Sequence, residues 1–444
     1  MKNFQGIRKI GVFGHVGNEN LGDEAIIAAV IQNIKRRYPN AEIYGFTINP
    51  EDTRKRHKIA AFPIRKIKKF PPAKKPHRDE IIVVDKPGRP SCLKKRIKTT
   101  LREAPWFYLF LRKIKNKCCL FLTSLSELKF LIQCYRNLKD IDLLIIAGSQ
   151  QLIDYVGGPW AFPYTLFKWV LIAKAVDTKV AFVSVGAGPI QSQLGRLFIR
   201  TSLAQAKYRS FRDETSRALV KDLGVSGENH VLADLVFSLE SGSLYTAGAT
   251  GESLHIVGIN PVPFLDGQYW LGANPSRYDA YIRKLASFAV WVTQKGYRLL
   301  FFPTQLRGDP PVIGDIINLM KCEIGSNIEQ QIVWRPISSI DDLISAIDMT
   351  DLVLATRFHG VVIPYVRNKP VLGIAYQKKT MDLMTQMGQS DYVVDINLFD
   401  LDSLKTRFIS MEPRFKEIGE ELTQRNSILR RALQDQYDQV LSLV

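Results

Sequence analysis

The sequence predicts an α/β protein of two domains facing a cleft, each built of βαβ units, with a basic insertion in the N-terminal domain. Three observations carry this reading. Short apolar runs alternate with longer stretches whose apolar residues recur at helical spacing, the rhythm of parallel strands crossed by helices. The chain has 444 residues, too many for a single core. Near its middle, residues 239–251 are small and polar, and read as a linker. The expected division is 1–240, 252–400 and a helical tail at 401–444, with the insertion at 54–137.

Residues 7–13 read as the first strand. They run into GVFGHVGNENLGDE, which opens a helix carrying Ile26, Ile27, Val30, Ile31 and Ile34 on one face. Asp23 and Glu24 fall in its first turn, where the helix dipole favours carboxylates. Gly14, Gly17 and Gly22 allow a tight turn, and together with Asn18 and Asn20 they exceed what a turn requires, so the loop is expected to line a ligand. The spacing is neither GxGxxG nor a Walker motif. Residues 42–47 complete the first βαβ unit.

The rhythm returns at 142–147, a strand ending in Gly148-Ser149-Gln150-Gln151, followed by a helix over 164–176. The strand at 179–185 ends in Gly186-Ala187-Gly188. Ser210-Phe211-Arg212-Asp213 closes a further strand and opens a helix over 214–223, where Arg212 either faces a ligand or pairs with Asp213. In the second domain strands are expected at 255–260, 298–303 (running into Thr304-Gln305), 331–334 and 391–394, with helices at 278–295, 311–321 and 340–347. The tail reads as one or two amphipathic helices.

The most informative stretch is 351–379, DLVLATRFHGVVIPYVRNKPVLGIAYQKK. It reads as strand, turn, helix over 361–367 and strand over 370–375. In such a unit the turn lies at the carboxyl end of the strand, where open α/β sheets bind ligands. The backbone N–H groups of the following helix favour an anion there. Arg357 adds a planar fork for carboxylate or phosphate, and His359 titrates near neutral pH. The turn is thus built to hold an anion and move a proton. The plainer reading, a solvated Arg357 and a capping His359, stays open.

Composition narrows the classes. Hydrophobic residues make up 46% and charged residues 23%, the mixture of a soluble globular protein. No apolar run reaches the length of a membrane-spanning helix, and no signal-peptide pattern is present. Five cysteines without CxxC spacing fit unpaired thiols in a reducing cytoplasm. The net charge of +18 is concentrated: residues 54–117 hold 22 basic and 4 acidic residues, leaving 39 of each elsewhere. One basic segment on a neutral protein argues against a nucleic-acid-binding surface. Beside it, PWFYLFLRKIKNKCCLFLTSLSELKFLI mixes aromatic, aliphatic and basic residues, either as an anchor on an anionic membrane surface or as an insertion packed on the domain.

Taken together, GHVGNENLGDEAI, AGSQQLIDYVGGPW, VSVGAGP, FRDETS, FFPTQLRGD and RFHGVVIPYVRNKPVLGIAYQKK resemble the polysaccharide pyruvyltransferase family. The resemblance runs in order through most of the chain except 54–137, and its last motif is the most specific. It implies two Rossmann-like domains in the GT-B arrangement, phosphoenolpyruvate as donor, no cofactor, and a glycan or lipid-linked sugar as acceptor that ends as a pyruvate ketal. It also implies that Arg357 and His359 match the family's donor-binding Arg-x-His, with Arg212 as a second donor arginine. On the chemistry alone, a donor carrying carboxylate and phosphate needs at least two cationic partners, which Arg212, Arg357, Lys378 and Lys379 can supply.

Ketal formation needs a general acid, assigned to His359, and a base, assigned to Asp23 on the facing domain. Gly17, Asn20, Gly148, Ser149, Gly186, Gly188 and Gln305, at strand ends, complete the expected substrate-binding set. No metal is demanded, because arginines can neutralise a leaving phosphate. The expected location is cytoplasmic, docked peripherally at the inner membrane face through 54–117. Two other readings share these features: a GT-B glycosyltransferase using a nucleotide sugar, and a non-catalytic membrane-associated glycan-binding protein.

Overall fold

The computed structural model describes residues 7–14, 16–66, 125–240, 255–268, 270, 272–325 and 328–444. One compact unit comprises 1–65 and 140–444, and a second comprises 66–139. Residues 241–251 of the expected linker and most of the basic segment lie outside the described residues; Leu239, at the linker's start, is buried in the core. In the second unit a helix spans 125–138, with Phe130, Cys134 and Leu138 buried at four-residue spacing on one face.

The first unit contains two parallel sheets. The first has seven strands: β1 (Lys9–Phe13), β2 (Glu42–Thr47), β3 (Ala60–Pro63), β4 (Leu143–Ala147), β5 (Lys179–Val185), β6 (Tyr208–Phe211) and β7 (His230–Val231). Their spatial order is β3-β2-β1-β4-β5-β6-β7. The second has β8 (Ile256–Asn260), β9 (Arg298–Phe301), β10 (Leu352–Ala355), β11 (Val371–Ala375) and β12 (Val393–Asp395), in the order β12-β11-β10-β8-β9. Strands such as LLIIA in β4 and VLGIA in β11 are buried throughout, as parallel strands covered on both faces must be. The order reverses between β1 and β4 in one sheet and between β8 and β10 in the other. These are the crevices where ligands bind in open α/β sheets.

The helices follow from caps and apolar stripes. Helix α1 (Leu21–Arg37) starts at Asn20, whose side chain accepts from Gly22 N at 3.1 Å. Helix α2 (Pro50–His57) starts at Asn49 with proline in its first turn. Helices α3 (Phe162–Ala175), α4 (Gln193–Ala204) and α5 (Glu214–Asp222) complete the first half. The second half adds α6 (Pro275–Gln294), α7 (Asp309–Ile324), α8 (Ile340–Asp348), α9 (Phe358–Val366), α10 (Lys378–Gln386) and α11 (Leu401–Met411). Helix α12 (Phe415–Leu441) then crosses back to the first sheet: Arg37 pairs with Asp438 at 2.6 Å and Gln436 meets Ser210 and Ser184. The same helix reaches the second half through Asn426, which donates to the carbonyl of Tyr365.

Three expectations are corrected. The α/β rhythm does not break at Arg54: α2 and β3 continue it, and their basic residues are engaged, Arg54 with the Ala61 carbonyl and Arg56 with Asp52. No strand forms at 331–334. A helical turn (Ile328–Gln331) is followed by one bridge from Ile332 to Leu299, because only Ile332 of that run is deeply buried. Helix α9 begins at Phe358, three residues before the expected 361, so Arg357 is its N-cap residue and His359 lies in its first turn.

Candidate functional site

The loops at the carboxyl ends of the strands converge. A cavity of about 650 Å³ is lined by Gln150, Gly188, Arg212 and Asp213 from the first half and by Lys378, Lys379 and Asp382 from the second. Arg212, directly after β6, is buried and lays its guanidinium over the Phe358 ring at 4.6 Å. Gly186 makes this possible, since a Cβ there would sit 2.6 Å from Arg212 Nη2. Ser149, with φ of 55°, accepts from Gly186 N at 2.7 Å and fixes the β5 loop. Gly148, with φ of 45°, packs against Ile26 of α1. Gly188 likewise leaves room for the Gln150 amide, 2.5 Å from where its Cβ would be.

Lys379, in the first turn of α10, donates to Gln150 Oε1 at 3.0 Å and lies 5.2 Å from the centre of the same Phe358 ring. Burial, and next the Arg212 charge, push its amine down to about 7. Asp23 contributes in the opposite sense, so it belongs to the same electrostatic cluster; it is buried in the first turn of α1.

Behind Arg212 stands Asp234, buried just before the turn Leu235–Ser238, whose Val236 N–H it accepts at 3.1 Å. Its Oδ2 lies 3.5 Å from Arg212 Nη1 and 3.7 Å from His359 Nε2. Burial works against its ionised form, but His359 and Arg212 outweigh burial and hold its carboxyl below the ordinary range. The other side of the His359 ring rests on Gly22, where a Cβ would fall 2.0 Å from Nδ1. His359 therefore sits between α1 and Asp234 and is not part of the cavity lining.

Arg357 forms a separate cluster. It donates to Asp309 Oδ1 through Nε at 2.8 Å and Nη2 at 2.5 Å. Asp309 is fully buried, and its Oδ2 accepts from the backbone N–H groups of Thr304 and Gln305 at 2.9 and 2.8 Å. Gln305 and Asn20 form an antiparallel bridge that joins the GNENLGD loop to the end of β9, reinforced by Gln305 Nε2 donating to the Asn18 carbonyl at 3.2 Å. Gly17, with φ of 85°, packs on the Asn49 backbone and donates to Glu24 Oε1 at 2.9 Å. Gly17, Asn20, Gln305 and Arg357 thus hold the two halves and their loops in register, while Arg212, Gly188, Lys378 and Lys379 line the cavity.

The sequence does not single out Asp234 or Asp309. Asp309 lies inside FFPTQLRGD at a helix start, and an acidic residue followed by LVFS marks Asp234 as a local cap. Their partners lie far along the chain. Among the described residues no group of three or more His, Cys, Asp or Glu side chains is placed to hold a metal ion. No helix among them is long and apolar enough to cross a membrane.

The two parallel sheets, with the cavity at their strand ends, define a protein of GT-B-like architecture. Structures of like fold include the S. aureus MnaA–UDP complex (TM-score 0.55, 9% identity, 99% and 98% of the two chains covered). UDP-GlcNAc 2-epimerase of Methanocaldococcus jannaschii (0.53, 9%, 90% and 92%) and a glycosyltransferase of Rickettsia africae (0.51, 8%, 98% and 99%) share it. At such identities they show the fold alone. The polysaccharide pyruvyl transferase family model matches residues 20–378, and the chain belongs to that family. Amylovoran biosynthesis protein AmsJ of Erwinia amylovora is 20% identical over 316 residues, covering 68% of this chain and 73% of that protein. The chain is accordingly a transferase of polysaccharide biosynthesis.

Proposed function

We propose that this enzyme moves the enolpyruvyl part of phosphoenolpyruvate onto a glycan or lipid-linked sugar and closes it into a ketal. The observation that carries this reading is the cavity in which Arg212, Lys378 and Lys379 converge at strand and helix ends. Two anionic groups on one small donor need several cations, and a guanidinium fixed from behind by a buried carboxylate is pre-organised to receive them. Asp234 supplies that support, and His359 holds Asp234 in turn. Arg357 acts from its own cluster, oriented by Asp309.

The reaction adds a proton to the methylene carbon, which makes the central carbon electrophilic. One sugar hydroxyl attacks it, a second displaces phosphate, and both hydroxyl protons leave. Asp23, buried on the facing helix and within the field of Lys379, is the carboxylate that accepts one of them. A nucleotide-sugar donor shares the architecture, so the test must separate the two. The full chain is titrated calorimetrically with phosphoenolpyruvate and with UDP-sugars, then incubated with phosphoenolpyruvate and glycan acceptors while phosphate release and glycan mass are followed. Binding of phosphoenolpyruvate, with phosphate release and a pyruvyl mass gain, supports the proposal; binding of a UDP-sugar alone overturns it.

A further inference from the structure

The sequence points to His359 as proton donor, yet its ring is enclosed between Gly22 and Asp234 and does not line the cavity. Lys379 does line the cavity, with its amine held by Gln150 Oε1 at 3.0 Å and packed over Phe358. From the cavity geometry we infer that Lys379 is the proton donor of this enzyme, charged when the anionic donor enters and discharged onto its methylene carbon. The inference rests on the phosphoenolpyruvate reading.

Several local influences make this ammonium reluctant. It is half-buried, it shares the Phe358 ring with Arg212, and it occupies the first turn of α10, where the helix dipole is positive. Gln377, at the N-cap, makes no side-chain cap hydrogen bond and lines the same cavity. Asp23, Asp213 and Asp234 oppose these effects from the first half, and Lys378 and Asp382 lie alongside on α10. The balance leaves the amine at about 7. A trivalent anion beside it reverses the balance, so binding draws a proton from solvent.

The step then balances. The Lys379 N–H bond breaks as the π electrons of the donor form the new C–H bond. The central carbon takes a hydroxyl lone pair, and the bond to the phosphate oxygen breaks with its electrons to phosphate when the second hydroxyl attacks. Of the two hydroxyl protons, one recharges the amine and the other leaves with the phosphate or through Asp23.

Calorimetry at about pH 7.5 with phosphoenolpyruvate, in buffers of differing ionisation enthalpy, reads the proton uptake directly. The native chain should take up most of a proton, His359→Asn should keep that uptake, and Lys379→Gln should lose it. Lys379→Arg keeps the charge but cannot release its proton near neutral pH; it should bind the donor and lose turnover by about 10²–10⁴-fold. Uptake persisting in Lys379→Gln, or Lys379→Arg turning over within tenfold of the native rate, overturns the inference. A native chain that does not bind phosphoenolpyruvate at all refutes the functional reading instead.

Discussion

Gly22 and His359 touch across the two halves of the enzyme so closely that a methyl group on Gly22 would lie 2.0 Å from Nδ1 and 2.2 Å from Cγ of the ring. Only glycine admits the imidazole there. In an exposed helix, glycine to alanine is stabilising. Gly22→Ala should instead destabilise by about 1–3 kcal/mol, the usual cost of overpacking, and should lower activity by displacing His359 from Asp234. Urea unfolding and a turnover assay check both parts; a stabilised, fully active variant would show that the ring has room to move.

Arg357 is bound to a carboxylate with no exposure to solvent. Removing it leaves Asp309 with its two backbone donors but no counter-charge. Arg357→Ala should therefore cost about 3 kcal/mol of stability, in addition to any effect on donor affinity. Arg357→Lys should recover little of this, because an ammonium cannot reproduce the two-pronged contact of Nε and Nη2. Denaturant midpoints for the two variants, compared without ligand, decide the point.

Lys379 gives a stability signature independent of catalysis. Its amine falls from an ordinary value of 10.5 to about 7 on folding. Between these values the unfolded chain binds more protons than the folded one, so stability rises with pH. The penalty is full below pH 7 and is relieved toward pH 10.5. Lys379→Met should thus stabilise the ligand-free enzyme at neutral pH by a few kcal/mol, since each tenfold loss of proton affinity corresponds to about 1.4 kcal/mol. The advantage should shrink as the medium becomes alkaline. Thermal unfolding at neutral and alkaline pH measures it, and a variant less stable than native at neutral pH would contradict the sign.

Peripheral docking on lipid is a further expectation, resting on the basic segment in the sequence. The residues of α2 are engaged within the fold, so the segment to replace is 67–117. With a neutral linker there, binding to anionic vesicles at low salt should vanish, and the native chain should be released as salt screens the charge. Co-sedimentation that survives the replacement would rule this route out.

Much of the fold was legible because parallel strands buried on both faces leave continuous apolar runs, as in β4, β5 and β10. Arg212, Arg357 and Lys379 stood out because each follows a strand, where the sheet opens. Their division of labour was not legible. Nothing local distinguishes Arg212, facing the cavity, from Arg357, turned to Asp309; the difference is made by carboxylates far along the chain. Residues 331–334 misled for a related reason: QIVW has strand character, but the edge beyond β9 takes up Ile332 alone.

Helix α12 fastens both sheets at once, through Gln436 and Asp438 on one side and Asn426 on the other. On the ribosome this imposes an order of events. The first sheet, although complete in sequence by β7, waits for the whole second sheet to be made before α12 can cover it. During that interval Ser184 and Ser210 lack the Gln436 amide that joins them in the finished molecule. The first half is therefore the part of the nascent chain that stays longest without its last packing partner.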